Sequence, residues 1–175
     1  MHLTRRNFLM SSAGAVFARP SFAQTAGKPQ VLKASVADVQ LLPEGYGQTS
    51  IWGYEGGTPG PEIRVAKGAR VQRTLLNEVP DPTSVHWHGI RIDNAMDGVS
   101  GLTQAAVKTG DTFEYDFVAP DAGTFWYHAH NRSYEQVARG LSGPLIVEEP
   151  EAIDIDREEV LVLDDWLINP ETSQI

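Results

Sequence analysis

Short segments of alternating hydrophobic and polar residues recur along most of the chain, separated by turns rich in glycine and proline. Alternation places successive side chains on opposite faces, which is typical of half-buried β-strands. Only "RSYEQVARG" predicts a helix, a turn or two closed by Gly140. Many short strands without strand–helix–strand alternation predict an all-β fold, a Greek-key sandwich or barrel. The predicted strands lie in "VLKASV", "TSIWGY", "EIRVAKGARVQRTLLN" (two strands around Lys67 and Gly68), "TFEYDFVAP" and "GPLIVEEP".

The pattern changes after Pro150. "EAIDIDREE" predicts an acidic connector, and "VLVLDDWLINP" predicts the start of another buried strand without a partner. A unit needs about three strands to be stable by itself. We therefore expect a first domain over residues 28–150, a linker over 151–158 and the truncated start of a second domain over 159–175. The tail is expected to lie across the first domain or to project away from it.

Composition excludes several classes of function. The chain has 175 residues, 41% hydrophobic and 21% charged, which suits a globular domain with a sizeable core. It contains no cysteine, so a disulfide framework, a thiolate zinc site and a cysteine nucleophile are all excluded. The net charge of −9 is a poor match to nucleic acid or to anionic lipid as a partner.

The first residues predict an export signal. Arg5 and Arg6 precede an apolar run over residues 8–18, and "SFA" predicts cleavage after Ala23. The run is too short for a permanent membrane helix. The arginine pair followed by Asn-Phe-Leu resembles a twin-arginine motif, with an ordinary secretory signal as the alternative. We expect residues 1–23 to be removed, leaving a periplasmic or otherwise exported chain without a membrane span.

Four of the five histidines form two His-x-His pairs, in "SVHWHGIRI" and in "GTFWYHAH". On a strand, residues two apart share a face, so His86 and His88 lie side by side, as do His128 and His130. A single pair of this kind is often only a hydrogen-bonded polar face. If the two strands are neighbours, however, four imidazoles converge, which suits copper, zinc, iron or nickel.

Three segments, "TSVHWHGIRIDNAMDGVSGLTQ", "PDAGTFWYHAH" and "EQVARGLSGPLIVEE", together resemble the first cupredoxin (plastocyanin-like) domain of bacterial, laccase-like multicopper oxidases. The resemblance implies a Greek-key cupredoxin fold and copper as the metal. In that family the first and last domains share a trinuclear copper cluster that reduces dioxygen to water. It further implies that His86 binds the type 2 copper and that His88, His128 and His130 bind the type 3 pair.

Asp97 is the candidate catalytic residue outside the histidine pairs. It stands in "NAMDGVSG", where Asp-Gly is also an ordinary turn dipeptide. The resemblance implies an acid near the cluster that supplies protons during oxygen reduction. Trp87 and Trp126 are interpreted as packing residues that orient the ligands.

The family's type 1 copper needs a cysteine in the last domain, and this chain has none. The resemblance therefore implies that the chain supplies half of the type 2 and type 3 ligands and is inactive alone. Its expected partners are the missing C-terminal cupredoxin domains, dioxygen and a reducing substrate, either a phenolic compound or a metal ion. A non-catalytic periplasmic copper-binding or scaffold module is the alternative. A copper nitrite reductase or two-domain laccase is disfavoured, because Ala129 rather than cysteine follows His128.

Overall fold

The computed structural model describes residues 29–151 and 154–175, so the predicted leader over residues 1–23 lies outside the described residues. The described part is almost entirely β-structure, as the hydrophobic pattern predicts. A single 3-10 turn, Asn94–Met96, precedes the sixth strand. The regular elements are β1 Gln30–Val39, β2 Thr49–Tyr54, β3 Ile63–Ala66, β4 Arg70–Asn77, β5 Val85–His88, β6 Thr112–Val118, β7 Gly123–Ala129, α1 Ser133–Gln136 and β8 Ser142–Glu148.

The strands form two four-stranded sheets, with the orders β2-β1-β4-β6 and β3-β8-β7-β5. Each sheet contains one parallel pair, β1 with β4 and β3 with β8, among otherwise antiparallel neighbours. The two strands predicted around Lys67 and Gly68 are both present. They do not form a hairpin, because β3 pairs with β8 whereas β4 pairs with β1 and β6. The turn between them therefore carries the chain from one sheet to the other.

A continuous core fills the space between the sheets. Its largest fully buried side chains are aromatic, and Trp87 lies at its centre. The Trp87 ring contacts the rings of Phe117, Tyr115 and Tyr127, with centroid distances of 4.9, 5.5 and 5.7 Å. Because Trp87 points into this core, the residues on either side of it in β5 must point away from it. None of the helices described is long and apolar enough to cross a membrane.

Three hydrogen bonds, one of them buried, join the segment that enters β5 to the segment that leaves β7. Gln136 of α1 is fully buried, and its amide nitrogen donates to the Pro82 carbonyl at 2.9 Å. The Thr83 hydroxyl donates to the Gln136 amide oxygen at 2.7 Å, and the Asn131 amide donates to the same Pro82 carbonyl at 2.6 Å. Buried polar groups that are fully paired restrict local motion. The two segments are therefore held in a fixed relative position.

The tail, residues 154–175, lies across the domain rather than projecting from it. Near its start, Glu158 pairs with Arg64 of β3 at 3.2 Å. Near its end, the Gln174 side chain accepts a hydrogen bond from the Ser50 amide at 3.1 Å, at the free edge of β2. Both β2 and β3 are edge strands, so the tail contacts one edge strand of each sheet.

The predicted buried strand in the tail is not formed. Residues 157–168 have no regular structure, and Leu161 and Leu163 are 83% and 93% exposed. The apolar pattern of this segment is typical of a strand, but a strand also needs a neighbour that accepts its hydrogen bonds. No strand among the described residues pairs with it.

Candidate metal centre

Strands β5 and β7 are antiparallel neighbours, and their register brings the two histidine pairs together. His86 lies directly opposite His128, and His88 lies opposite Trp126. His130 follows β7 and its amide donates to the Ser84 carbonyl at 3.4 Å, which extends the pairing by one step. The predicted convergence of the two pairs is confirmed.

The four rings form a compact group on one face of the β5–β7 ribbon. The His86 ring centroid lies 5.5 Å from that of His88, 5.3 Å from that of His128 and 5.1 Å from that of His130. His86, His88 and His128 each offer a ring nitrogen, and these three atoms lie within 4.8 Å of one another. Such a group can hold a metal ion, since imidazole is a common ligand of transition metals. The assignment of individual ligands remains a prediction.

Backbone carbonyls fix the tautomers of two of these rings. His86 Nδ1 lies 2.7 Å from the Asp97 carbonyl oxygen, and His128 Nδ1 lies 3.0 Å from the Ala129 carbonyl oxygen. A carbonyl only accepts, so both contacts favour the tautomer with the proton on Nδ1, which in the neutral ring leaves the Nε2 lone pair free for a metal. His88 Nδ1 lies 3.2 Å from His128 Nε2, the distance of a hydrogen bond between the two rings. The free lone pair of His128 therefore points at His88.

His128 is the most enclosed of the four ligand candidates, with 7% of its surface exposed. Its pKa is lowered to about 4, mainly by burial; the Ala129 carbonyl opposes the shift, and the nearby imidazoles of His86, His88 and His130 add to it. Desolvation disfavours the charged form of a histidine. His128 is consequently neutral at physiological pH, which is the state a metal ligand requires.

Trp126 of β7 lies beside the group, opposite His88. Its ring stacks on His128 with a centroid distance of 4.1 Å and an interplanar angle of 29°. The His88 ring lies 5.1 Å from the same indole. Trp126 therefore limits the rotation of both imidazoles, as expected of a residue that orients ligands.

Asp97 lies beside His86, at the edge of the histidine group. Its carboxylate Oδ1 is 3.4 Å from His86 Nδ1, in addition to the shorter contact made by its backbone carbonyl. The side chain is 29% exposed, so it contacts both the group and solvent. The structure thus places the predicted acid next to the predicted ligands. Its catalytic role stays a prediction.

Two further polar residues support the loop beside this site and were missed by sequence reasoning. Ser84 precedes β5, and Ser100 follows the turn at Asp97; their hydroxyls lie 2.9 Å apart. The segment that enters β5 and the loop after the first histidine pair are therefore linked through side chains. Serine is common in loops, so neither residue carries a signal in the sequence that distinguishes it from an ordinary turn residue.

Two packed sheets with a cluster of imidazoles on one face of the β5–β7 pair are the features of a metal-binding protein of cupredoxin fold. The chain belongs to the multicopper oxidase family, whose family model, described as multicopper oxidase, matches residues 35–152. This confirms the fold and the family that the three quoted sequence segments implied.

Individual relatives and solved structures agree with this assignment. The chain is 43% identical over 113 residues to copper resistance protein A of Pseudomonas syringae pv. tomato, a match that covers 63% of this chain and 18% of the relative. It is 43% identical over 109 residues to multicopper oxidase MmcO of Mycobacterium tuberculosis, covering 62% of this chain and 21% of the relative. The multi-copper oxidase structure from Pseudomonas thermotolerans is 42% identical with a TM-score of 0.77, covering 82% of this chain and 34% of that one. The chain thus spans about a fifth of the length of these curated relatives.

Proposed function

We propose that this chain is the first cupredoxin domain of a laccase-like multicopper oxidase and supplies half of the ligands of its type 2 and type 3 copper cluster. The observation that carries the proposal is the convergence of His86, His88 and His128, whose ring nitrogens lie within 4.8 Å of one another. His86 is assigned to the type 2 copper, and His88, His128 and His130 to the type 3 pair. Residues 28–150 form this domain, 151–158 a linker and 159–175 the start of a second cupredoxin domain.

The donor set fits copper. All four donors are imidazoles, which bind copper well, and the carbonyl contacts leave Nε2 of His86 and His128 unprotonated. Two ligands of one metal ion lie about 3 Å apart when each bond is about 2 Å long. The 3.2 Å between His88 Nδ1 and His128 Nε2, a hydrogen bond in the metal-free chain, is compatible with this spacing once His88 Nδ1 has given up its proton to let the metal bind. Bond lengths of this size do not distinguish copper from zinc, so the choice of copper rests on the family.

In the complete enzyme, bound copper would pass electrons from a reducing substrate, a phenolic compound or a metal ion, to dioxygen. The residues of this chain hold and orient the metal, and Trp126 shields one side of it. Asp97 is proposed as the acid that supplies protons during oxygen reduction, because its carboxylate lies 3.4 Å from His86 Nδ1 and contacts solvent. The leader over residues 1–23 is proposed to direct twin-arginine export to the periplasm, with cleavage after Ala23.

Calorimetric copper titration of the full chain tests the proposal. Every variant should carry His2→Ala, so that the two pairs are the only histidines present. We expect weak copper binding that is mostly lost when His86 and His128 are both replaced by alanine, because the replaced rings face each other across β5 and β7. The fold should persist, since the two rings lie on the strand faces opposite Trp87 and Tyr127, which belong to the core.

The matched control replaces Asp164 and Asp165, two exposed acids of the tail, by asparagine. This variant should bind copper as the parent chain does, which separates the histidine group from general binding to an acidic protein. In air, the copper-loaded chain should be colourless or pale and should not oxidise a phenolic substrate, because it has no cysteine for a type 1 site. Equal copper affinity in the double histidine variant, or appreciable phenol oxidation, would contradict the proposal.

A further inference from the structure

The hydroxyl of Ser84 is buried and makes two hydrogen bonds, one as donor and one as acceptor. The residue has no exposed surface, and its hydroxyl donates to the Gly98 carbonyl at 2.7 Å. It also accepts a hydrogen bond from the Ser100 hydroxyl at 2.9 Å. Both contacts cross from the segment entering β5 to the loop that follows Asp97. A buried chain of two hydroxyls and one carbonyl is costly to break, because each group left unpaired keeps its desolvation penalty.

The same loop makes two more contacts with the start of β5. Gly98 has a φ of +78° and packs directly against the Val85 carbonyl, where no side chain would fit. One residue earlier, the Asp97 carbonyl oxygen lies 2.7 Å from His86 Nδ1. The carbonyls of Asp97 and Gly98 belong to the two peptide groups that flank the Gly98 Cα. Because the Gly98 Cα packs against Val85 and the Gly98 carbonyl is held by Ser84, the Asp97 carbonyl on the other side of that Cα is restrained as well.

We propose that Ser84 and Ser100 are positioning residues for His86: they hold the loop over residues 97–100 so that the Asp97 carbonyl keeps the His86 proton on Nδ1 and leaves Nε2 free for the metal. This inference extends the proposed copper function. Its expected effect on metal binding rests on that proposed function. The two serines contact the loop and each other, and they act on the ring only through the backbone of Asp97. Partners of this kind set the tautomer and the direction of a metal-binding histidine.

The experiment compares the parent chain with Ser84→Ala and Ser100→Ala. Nitrogen NMR of histidine-labelled, metal-free protein reports which ring nitrogen of His86 carries the proton. We expect a single Nδ1-protonated form in the parent chain, a mixture of both tautomers in Ser84→Ala and a smaller change in Ser100→Ala, which keeps the bond from Ser84 to Gly98. Copper affinity should fall about tenfold in Ser84→Ala, the lower end of the range for partners of metal ligands.

Thr109→Val is the matched control. The Thr109 hydroxyl also donates to a backbone carbonyl, that of Val79 at 2.8 Å, but it does not touch the loop over residues 97–100. This variant should lose some stability while keeping the His86 tautomer and the copper affinity of the parent. This control therefore shows whether a general loss of stability alone changes the His86 tautomer or the copper affinity.

The outcomes separate this inference from the proposed function. If the parent chain fails to bind copper, the proposed function fails, whereas the tautomer measurement on metal-free protein still decides the role of the serines. An unchanged His86 tautomer in both Ser84→Ala and Ser100→Ala would overturn the inference even if the chain binds copper. Should Ser84→Ala not fold, Ser100→Ala decides alone, because Ser100 is only partly buried.

Discussion

Replacing Gly98 by alanine is expected to lower the free energy of unfolding by more than about 3 kcal/mol, a loss reserved for substitutions that the native backbone cannot accommodate. A Cβ at this position would overlap the carbonyl oxygen of Val85, which belongs to the backbone and cannot move without disturbing β5. The positive φ of +78° adds strain for any residue with a side chain. The loop would have to move away from β5, and its contact with His86 would be lost with it.

Gly101→Ala is the control, because the two glycines share one loop and nearly the same backbone angle. Gly101 has a φ of +79°, and a Cβ there would meet nothing within 4 Å. Its cost should therefore be only the backbone strain, about 1–2 kcal/mol. Urea unfolding of both variants measures the difference. If both variants lose the same free energy of unfolding, overlap with the Val85 carbonyl does not contribute to the cost of Gly98→Ala.

The strands and the histidine group could be predicted because their signals are local. A period of two residues fixes which side chains share a face, and it places His86 and His88 on the face opposite Trp87 without any knowledge of the fold. That β5 and β7 are neighbours is not a local property. It came from the resemblance of whole segments to a known family, and the register of the two strands then brought His86 opposite His128.

The tautomers and the serine contacts could not be predicted. The proton on His86 is fixed by the carbonyl of Asp97, eleven residues further along the chain, and any residue type at position 97 could offer that carbonyl. The sequence drew attention to the Asp97 carboxylate instead. Likewise, Ser84 matters because the chain folds back to place Gly98 and Ser100 against it. Contacts made through backbone atoms have no signature in residue type.

In the tail, prediction from the sequence fails in the opposite way: the local sequence pattern is clear, but the strand that it predicts is absent. Val160, Val162 and their apolar neighbours are typical of a buried strand. The prediction was made from side-chain pattern, whereas strand formation depends on hydrogen bonds to a neighbouring chain segment. The described residues provide no such neighbour, and Leu161 and Leu163 remain exposed.

Trp87→Ala is expected to lower the free energy of unfolding by about 3–5 kcal/mol, the usual cost of deleting a large buried aromatic ring. Trp87 has no exposed surface and contacts the rings of Tyr115, Phe117 and Tyr127. The cavity would lie directly beneath β5, on the face opposite the histidine group. The spacing of His86 and His88 depends on this strand, so copper affinity should fall as well.

Trp87→Phe should cost much less, about 1 kcal/mol, although it also removes ring volume. The indole Nε1–H of Trp87 is buried and has no acceptor among the described residues. An unpaired buried donor costs about 1–3 kcal/mol, and phenylalanine removes that penalty while it leaves a smaller cavity than alanine does. Urea unfolding compares the stability of the two variants, and copper titration compares their copper affinity. If Trp87→Phe is as destabilised as Trp87→Ala, the expected relief from removing the unpaired indole N–H is contradicted. If the phenylalanine variant instead keeps both stability and copper affinity, the contribution of Trp87 to the site is the packing beneath β5 and not a polar contact.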